Sequence, residues 1–258
     1  MGKISATILT FNEERRIAAC LDSLRDIADE IIVVDSFSTD CTLDICRSYG
    51  CRISQRRLAG YGAQRQYATS LASFSYVLSI DADEVLSPAL RNSLLKLKAE
   101  GFQHRVYAFS RLNFYCGLPV KGCGWYPDTQ IRLFDKRYAN GNLHDAEEQV
   151  IFRDTVRPAR VDGDILHYRC DTPDEYDATE SSHALIRAKV LATRYNSLTR
   201  IRPFIEGSKA YLKCLIIEKG LFDGRAGRAI SSNRYRSTYL AFELARKLLL
   251  NRNDTTEG

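Results

Sequence analysis

The sequence predicts an α/β chain built on a doubly wound, mostly parallel sheet, followed by a helical stretch. Three observations carry that expectation. Apolar runs of strand length alternate with helix-period segments through residues 1–101, in the order β-α-β-α-β-α-β-α. Two of the runs, EIIVVD and YVLSI, are almost continuously apolar, as strands covered on both faces are. The clusters Thr10-Phe11-Asn12-Glu13, Asp35-Ser36 and Asp81-Ala82-Asp83-Glu84 fall at the carboxyl ends of separate strands, where open sheets of this kind bind ligands.

Taken in order, ISATIL alternates and is rich in β-branched residues, which marks the first strand. A helix follows TFNEE, its apolar stripe formed by Ile17, Cys20, Leu21 and Leu24, with Glu13 and Glu14 expected in its first turn. EIIVVD is the second strand. SFSTD then opens a helix with Ser38 as the expected N-cap and Gly50 as the stop. CRISQ reads as the third strand, GYGAQRQYATSLA as a turn entering a helix, and YVLSI as the fourth strand. Ser87-Pro88 supplies a cap and a first-turn proline for the next helix, which Gly101 ends. RVYAFSRLNFY, DTQIRLF and RVDGDILHY read as further strands, with the loop CGLPVKGCGWYPD between the first two. Beyond about 170 the pattern turns helical. Ile205, Leu212 and Ile216 fall on one face and Lys209 and Lys213 on another, and a second helix is expected from about Asn233 to Leu250. The expected organisation is a catalytic domain over 1–170, a basic helical region over 171–250 and a disordered tail over 251–258.

At 258 residues, 45% hydrophobic and 27% charged, the chain has the composition of a globular protein with a sizeable core. It contains no apolar run long enough to span a membrane, and its first residues show neither a signal-peptide pattern nor a myristoylation signal. The eight cysteines include no C-x-x-C pair, so they are expected as reduced thiols of a cytoplasmic protein rather than as a zinc site. Charge is uneven: from His183 onward 15 Lys and Arg face 6 Asp and Glu, whereas residues 1–182 hold 22 against 26. That basic stretch suits an anionic membrane surface or a phosphorylated acceptor, or is a solvated helix face. It carries no nucleic-acid reading motif, so no nucleic-acid partner is expected.

The acids after the fourth strand carry the most chemistry. Asp81 and Asp83 point to one side if strand geometry persists. Paired carboxylates of that kind suit Mg²⁺ or Mn²⁺ on phosphate oxygens. Asp35 at the end of the second strand fits a ribose or base contact, or a loop acid. Asn12 and Glu13 read either as nucleotide contacts or as helix-start residues, and Gln64 and Arg65 either as phosphate- or base-contacting residues or as a solvated face.

TILTFNEE, IIVVDSFSTDCT, GYGAQRQYA and YVLSIDADEVLSP together resemble family 2 glycosyltransferases of the GT-A fold. WYPDTQIRLFDK, LHDAEEQV and GLFDGRAG resemble its branch that adds a sugar to the lipopolysaccharide inner core, the β-glucosyltransferase type. The resemblance implies a UDP-sugar donor, a glycan or lipid-linked acceptor and inversion at the anomeric carbon. It implies that Thr10, Phe11, Asn12, Glu13, Asp35, Ser36, Gln64, Arg65, Asp81 and Ala82 line the donor site. Asp83, with Asp81 nearby, would hold Mg²⁺ or Mn²⁺ on the diphosphate. A general base for the acceptor hydroxyl falls to Asp145 of the His144-Asp145 pair, or to Glu147 or Glu148. Trp125, Tyr126 and Asp128 would line the acceptor side, with Trp125 alternatively in the core. The implied place is the cytoplasm or the cytoplasmic face of an inner membrane. Two other readings remain: a haloacid-dehalogenase-like phosphatase with Asp81 as nucleophile, and a non-catalytic nucleotide- or membrane-binding scaffold.

Overall fold

The computed structural model describes residues 2–138 and 157–254. The chain divides into two compact units. The first comprises 1–111 and 128–167, and the second comprises 112–127 and 168–258. The segment 112–127, placed by sequence with the catalytic domain, thus groups with the helices.

In the first unit, β1 (Ile4–Thr10), β2 (Glu30–Asp35), β3 (Arg52–Gln55) and β4 (Tyr76–Asp81) pair in parallel in the order β3-β2-β1-β4. The sheet continues through antiparallel strands, so that β4 is followed by β8 (Asp128–Asp135), β6 (Val106–Tyr115), β9 (Ala159–Cys170) and β5 (Glu84–Leu86). The short β7 (Leu118–Val120) pairs with the last residues of β6. The helices between the parallel strands are α1 (Ile17–Leu24), α2 (Thr42–Ser48) and α3 (Tyr61–Leu71), and α4 (Pro88–Glu100) joins β5 to β6. The order reverses between β1 and β4, which is the topological switch point where such sheets open a crevice. Ile4, Ile8, Ile17, Leu21, Leu78 and Ile80 form the centre of the core, all fully buried.

Several elements follow their sequence signals. Ser87 Oγ accepts the Leu90 N–H at 3.3 Å, Pro88 takes the first turn of α4, and Gly101 ends it at φ 80°. Gly163 is required by close approach: a Cβ there would lie 2.2 Å from Leu90 N, at φ 103°. Other expectations are corrected. Helix α1 starts at Ile17 with no acid in its first turn, because Glu13 and Glu14 are held in the preceding turn by the β2–α2 loop. Ser38 does not cap α2. Asp40 instead accepts the Thr42 N–H at 3.0 Å at the start of the helix, while the Ser38 hydroxyl turns to Asp35. The two three-residue strands β5 and β7 are too short for an alternation signal.

The second unit holds α5 (Pro173–Arg194), α6 (Arg202–Leu212), a π-helical turn over Lys213–Ile217, a 3₁₀ turn over Gly220–Asp223, and α7 (Gly224–Asp254). Helix α7 begins before the expected Asn233, because the small residues of GRAGRAISS pack rather than break the helix. It also continues through residues 251–254, where a disordered tail was expected. Thr172 caps α5 by accepting the Glu175 N–H at 3.2 Å, and Glu175 accepts the Asp171 N–H at 2.8 Å in return. The core of this unit includes Tyr115, Val120, Trp125, Tyr176 and Ile230.

GLFDGRAG is explained here. Asp223 accepts the backbone N–H groups of Lys121 and Gly122 at 2.9 and 2.7 Å, fixing the loop after β7. Gly227 lets the start of α7 meet the 3₁₀ turn: a Cβ at Gly227 would sit 1.7 Å from the Gly220 carbonyl oxygen. Gly227→Ala is therefore expected to lower the stability of this unit by about 3 kcal/mol or more, read as the shift in its denaturation midpoint. A change within about 0.5 kcal/mol would show that the contact yields freely.

Candidate active site

The site is assembled at the carboxyl ends of β1, β2 and β4. Two loops are stapled together there. The Asn12 N–H donates to Ser38 Oγ at 2.8 Å, and Asn12 Oδ1 accepts the Thr39 N–H at 2.8 Å. The Glu13 N–H donates to Thr42 Oγ1 at 2.8 Å, and Glu14 accepts the Cys41 N–H at 3.0 Å. TFNEE and SFSTDCT are thus two halves of one scaffold. Glu13 also pairs with Arg16 at 3.3 Å, so Asn12 and Glu13 build the site's edge.

Asp35 is fully buried. Its carboxylate accepts the N–H groups of Phe37 and Ser38, each at 3.0 Å, and the Gln55 side-chain amide at 2.9 Å. These bonds let Asp35 shape the turn that follows β2. That turn places Phe37 at φ 68°, a conformation bulky residues rarely adopt. Phe37 and Phe11 both stand exposed, in the loops just beyond the strand ends that pair in register at Thr10 and Asp35. Ser36 donates its N–H to the Thr10 carbonyl at 2.9 Å, while the buried Thr10 hydroxyl has no partner. Gln64 is buried, donating to the Arg56 carbonyl at 3.0 Å and to Ser36 Oγ at 3.4 Å, with its own carbonyl oxygen unpartnered.

The acids after β4 are not equivalent. Asp81 takes Arg65 on both oxygens, at 2.7 and 2.8 Å, and Arg132 on one at 2.9 Å. Burial raises its pKa, but Arg65 and Arg132 outweigh burial and hold the carboxyl well below the usual range. Glu84 is fully buried: one oxygen accepts Arg132 at 2.6 Å and Arg111 at 3.1 Å, and the other accepts the Asp81 N–H at 3.0 Å. Arg111 continues the chain to Asp128 at 2.6 Å, and Asp128 accepts the Gln130 amide on its other oxygen. The positive partners of the strand-end acids are thus largely three arginines, Arg65, Arg132 and Arg111.

Asp83 stands apart. Its carboxylate, about a quarter exposed, meets His167 Nε2 at 3.1 Å and has no arginine partner among the described residues. The pairing of β5 with β9 sets this up by placing Glu84 opposite His167. His167 was missed by sequence reasoning: it lies on a strand far along the chain, and no local spacing ties it to Asp83. Ala82 is buried and donates its N–H to the Leu9 carbonyl at 3.2 Å, tying the acid segment to β1.

Of the residues expected on the acceptor side, Trp125 and Tyr126 belong to the second unit and Asp128 to the first. Trp125 is core, edge-on to Tyr176 at 5.8 Å with the Arg169 guanidinium over its ring at 5.0 Å. Asp145, Glu147 and Glu148, the expected bases, lie outside the described residues.

A parallel sheet extended by antiparallel strands and followed by helices is the arrangement of the GT-A fold. The sequence profile of glycosyl transferase family 2 matches residues 5–135, and the chain belongs to that family. It is similar to an uncharacterised glycosyltransferase of Rickettsia felis, 42% identical over 87% of this chain and 83% of that one. It is also similar to the lipopolysaccharide core biosynthesis glycosyltransferase LpsC of Rhizobium meliloti, 30% identical over 72% of this chain and 70% of that one. Among solved structures, it is similar to glucosyl-3-phosphoglycerate synthase of Mycobacterium tuberculosis in complex with Mn²⁺ and UDP-glucose. That match is 26% identical over 44% of each chain, with a TM-score of 0.35, an overlap too low to carry donor or metal across.

Proposed function

We propose that the protein moves a hexose such as glucose from a UDP-sugar to a glycan or lipid-linked acceptor of the lipopolysaccharide core or a related envelope glycan, inverting the anomeric carbon. The observation that carries the reading is the different fates of the strand-end acids. Arginines neutralise Asp81 and Glu84 and leave Asp83 partly exposed with His167 as its partner. A carboxylate oxygen and an imidazole nitrogen are an ordinary donor set for Mn²⁺ or Mg²⁺ completed by phosphate oxygens, so these residues fit a divalent ion. When bound, that ion would neutralise charge on the departing diphosphate. Asp81 has both oxygens occupied by guanidinium groups, so it positions Arg65 and Arg132 rather than a metal.

The chain's own residues do the rest. Phe11 and Phe37 offer aromatic faces to a base, on a turn held by Asp35, and the Thr10 hydroxyl and Gln64 carbonyl offer buried polar atoms beside Ser36. A carboxylate among Asp145, Glu147 and Glu148 takes the acceptor hydroxyl proton. The lipopolysaccharide assignment is supported by the name of the Rhizobium relative, and the basic second unit suits a peripheral contact with an anionic membrane.

The test is UDP release from UDP-glucose, UDP-galactose and GDP-mannose, with and without Mn²⁺, in the presence of truncated lipopolysaccharide core acceptors. Transfer from a UDP-sugar that stops on chelation is expected. Binding of UDP with no transfer or hydrolysis of any UDP-sugar would favour the non-catalytic scaffold.

A further inference from the structure

We infer that the second unit docks on an anionic bilayer surface through an apolar ridge running from α6 through the π turn to the 3₁₀ turn. It rests on the proposed function only in supposing a membrane nearby; the surface itself is read from the second unit alone.

Helix α6 is amphipathic in an unusual sense. Its packed face is made of Pro203 and Gly207, continued by Cys214 in the π turn. A Cβ on Gly207 would already touch the Tyr235 ring at 3.0 Å, so that side is closed against α7. The opposite face should be polar in a helix that meets only water. Instead Ile201, Ile205, Leu212 and Ile216 recur at helical spacing and all are exposed, with Phe204 beside them. The ridge continues past the helix end. Ile217 is 74% exposed, and Phe222 on the 3₁₀ turn is 85% exposed, next to an exposed Leu221. Water-facing surfaces rarely collect large aliphatic and aromatic side chains contiguously.

Charge selects the occupant. Lys209, Lys213, Lys219, Arg225 and Arg228 lie on or beside the same stretch, all exposed. Its acids are already engaged: Glu206 pairs with Arg202 and Lys209, Glu218 with Lys213 and Arg234, and Asp223 with two backbone N–H groups. Lys219, Arg225 and Arg228 make no ion pair among the described residues, so the rim carries uncompensated positive charge. Protruding apolar side chains with a basic flank match a surface of acyl chains beneath anionic headgroups. A second copy of this chain would bring the same positive rim against itself.

The experiment is flotation of the full chain, without donor, on vesicles of phosphatidylcholine alone and with about one-third phosphatidylglycerol, at low and high salt. Binding is expected on the anionic vesicles only, and weaker at high salt. Ile217→Ser with Phe222→Ser should reduce the partition coefficient about tenfold or more. Lys213→Gln and Lys219→Gln should each reduce it about fivefold. Circular dichroism and thermal unfolding of every variant check the fold; if the serine pair fails to fold, the glutamine variants decide alone. Absence of binding to anionic vesicles, or binding that none of these changes weakens, overturns the proposal. So does a dimer in sedimentation velocity that the serine pair dissolves. UDP release measured without vesicles tests the enzyme reading separately, and the serine pair is expected to leave it unchanged.

Discussion

Asp83→Asn is expected to abolish metal-dependent UDP binding and to lower kcat/KM about a thousandfold, without lowering the melting temperature. The reasoning follows from its surroundings. Asp83 is the strand-end acid without an arginine partner among the described residues, so it contributes little to holding the fold. Removing its charge leaves no guanidinium uncompensated. What it removes is the anionic donor for the divalent ion, whose stabilisation of a departing diphosphate is worth several kcal/mol. His167→Ala should cost less, about 10- to 100-fold, because it deletes a neutral donor and an orienting partner but leaves the carboxylate. Calorimetric titration with UDP, in Mn²⁺ and in chelator, separates these effects from folding. If Asp83→Asn binds UDP with Mn²⁺ as tightly as the parent, Asp83 is not a metal ligand.

The same acids show what was legible in the sequence. The β-α alternation to residue 101 follows from local periodicity, and β1 to β4 lie where that periodicity put them. The convergence of Thr10, Asp35 and Asp81 on one sheet edge follows from the parallel order alone. Which acid is left without an arginine does not. That depends on Arg65, Arg111 and Arg132, carried on α3, β6 and β8 and brought together only by strand order. Period-two reasoning put Asp81 and Asp83 on one side as equals. The chain instead turns immediately after Asp81 into β5, and that turn separates the pair's roles. The hydrogen bonds of Asp35 are likewise not readable from spacing, since they return to its own loop and to Gln55 on β3. His167 and the inward-facing Trp125 are tertiary facts, since an aromatic in a glycine-rich loop reads the same whether it packs inward or outward.

Arg132→Met should be the most damaging single change in the first unit, lowering its stability at neutral pH by about 3–5 kcal/mol. Arg132 is buried and bridges Asp81 and Glu84, at 2.9 and 2.6 Å. Methionine fills much of the volume but leaves buried Glu84 with Arg111 alone and Asp81 with Arg65 alone. At about 2–4 °C per kcal/mol for a chain of this size, the melting temperature should fall by roughly 10 °C. The pH dependence distinguishes lost charge pairing from lost packing. Asp81 has its folded pKa depressed by Arg65 and Arg132 against the opposing effect of burial. A depressed carboxyl contributes stability that is fully present above its unfolded pKa of about 3.9, and that contribution is lost as pH falls through the lower folded value. Removing one of the two guanidinium groups moves the folded pKa back up, so the variant should acid-unfold at a higher pH than the parent. The gap between them should narrow as pH falls through the variant's folded pKa, because Asp81 is then protonated in the folded variant while still charged in the folded parent. A difference that stays constant down to the pH at which the parent itself unfolds would mean that the methionine disturbs packing, and that the Arg65–Asp81–Arg132 bridge is electrostatically neutral to the fold.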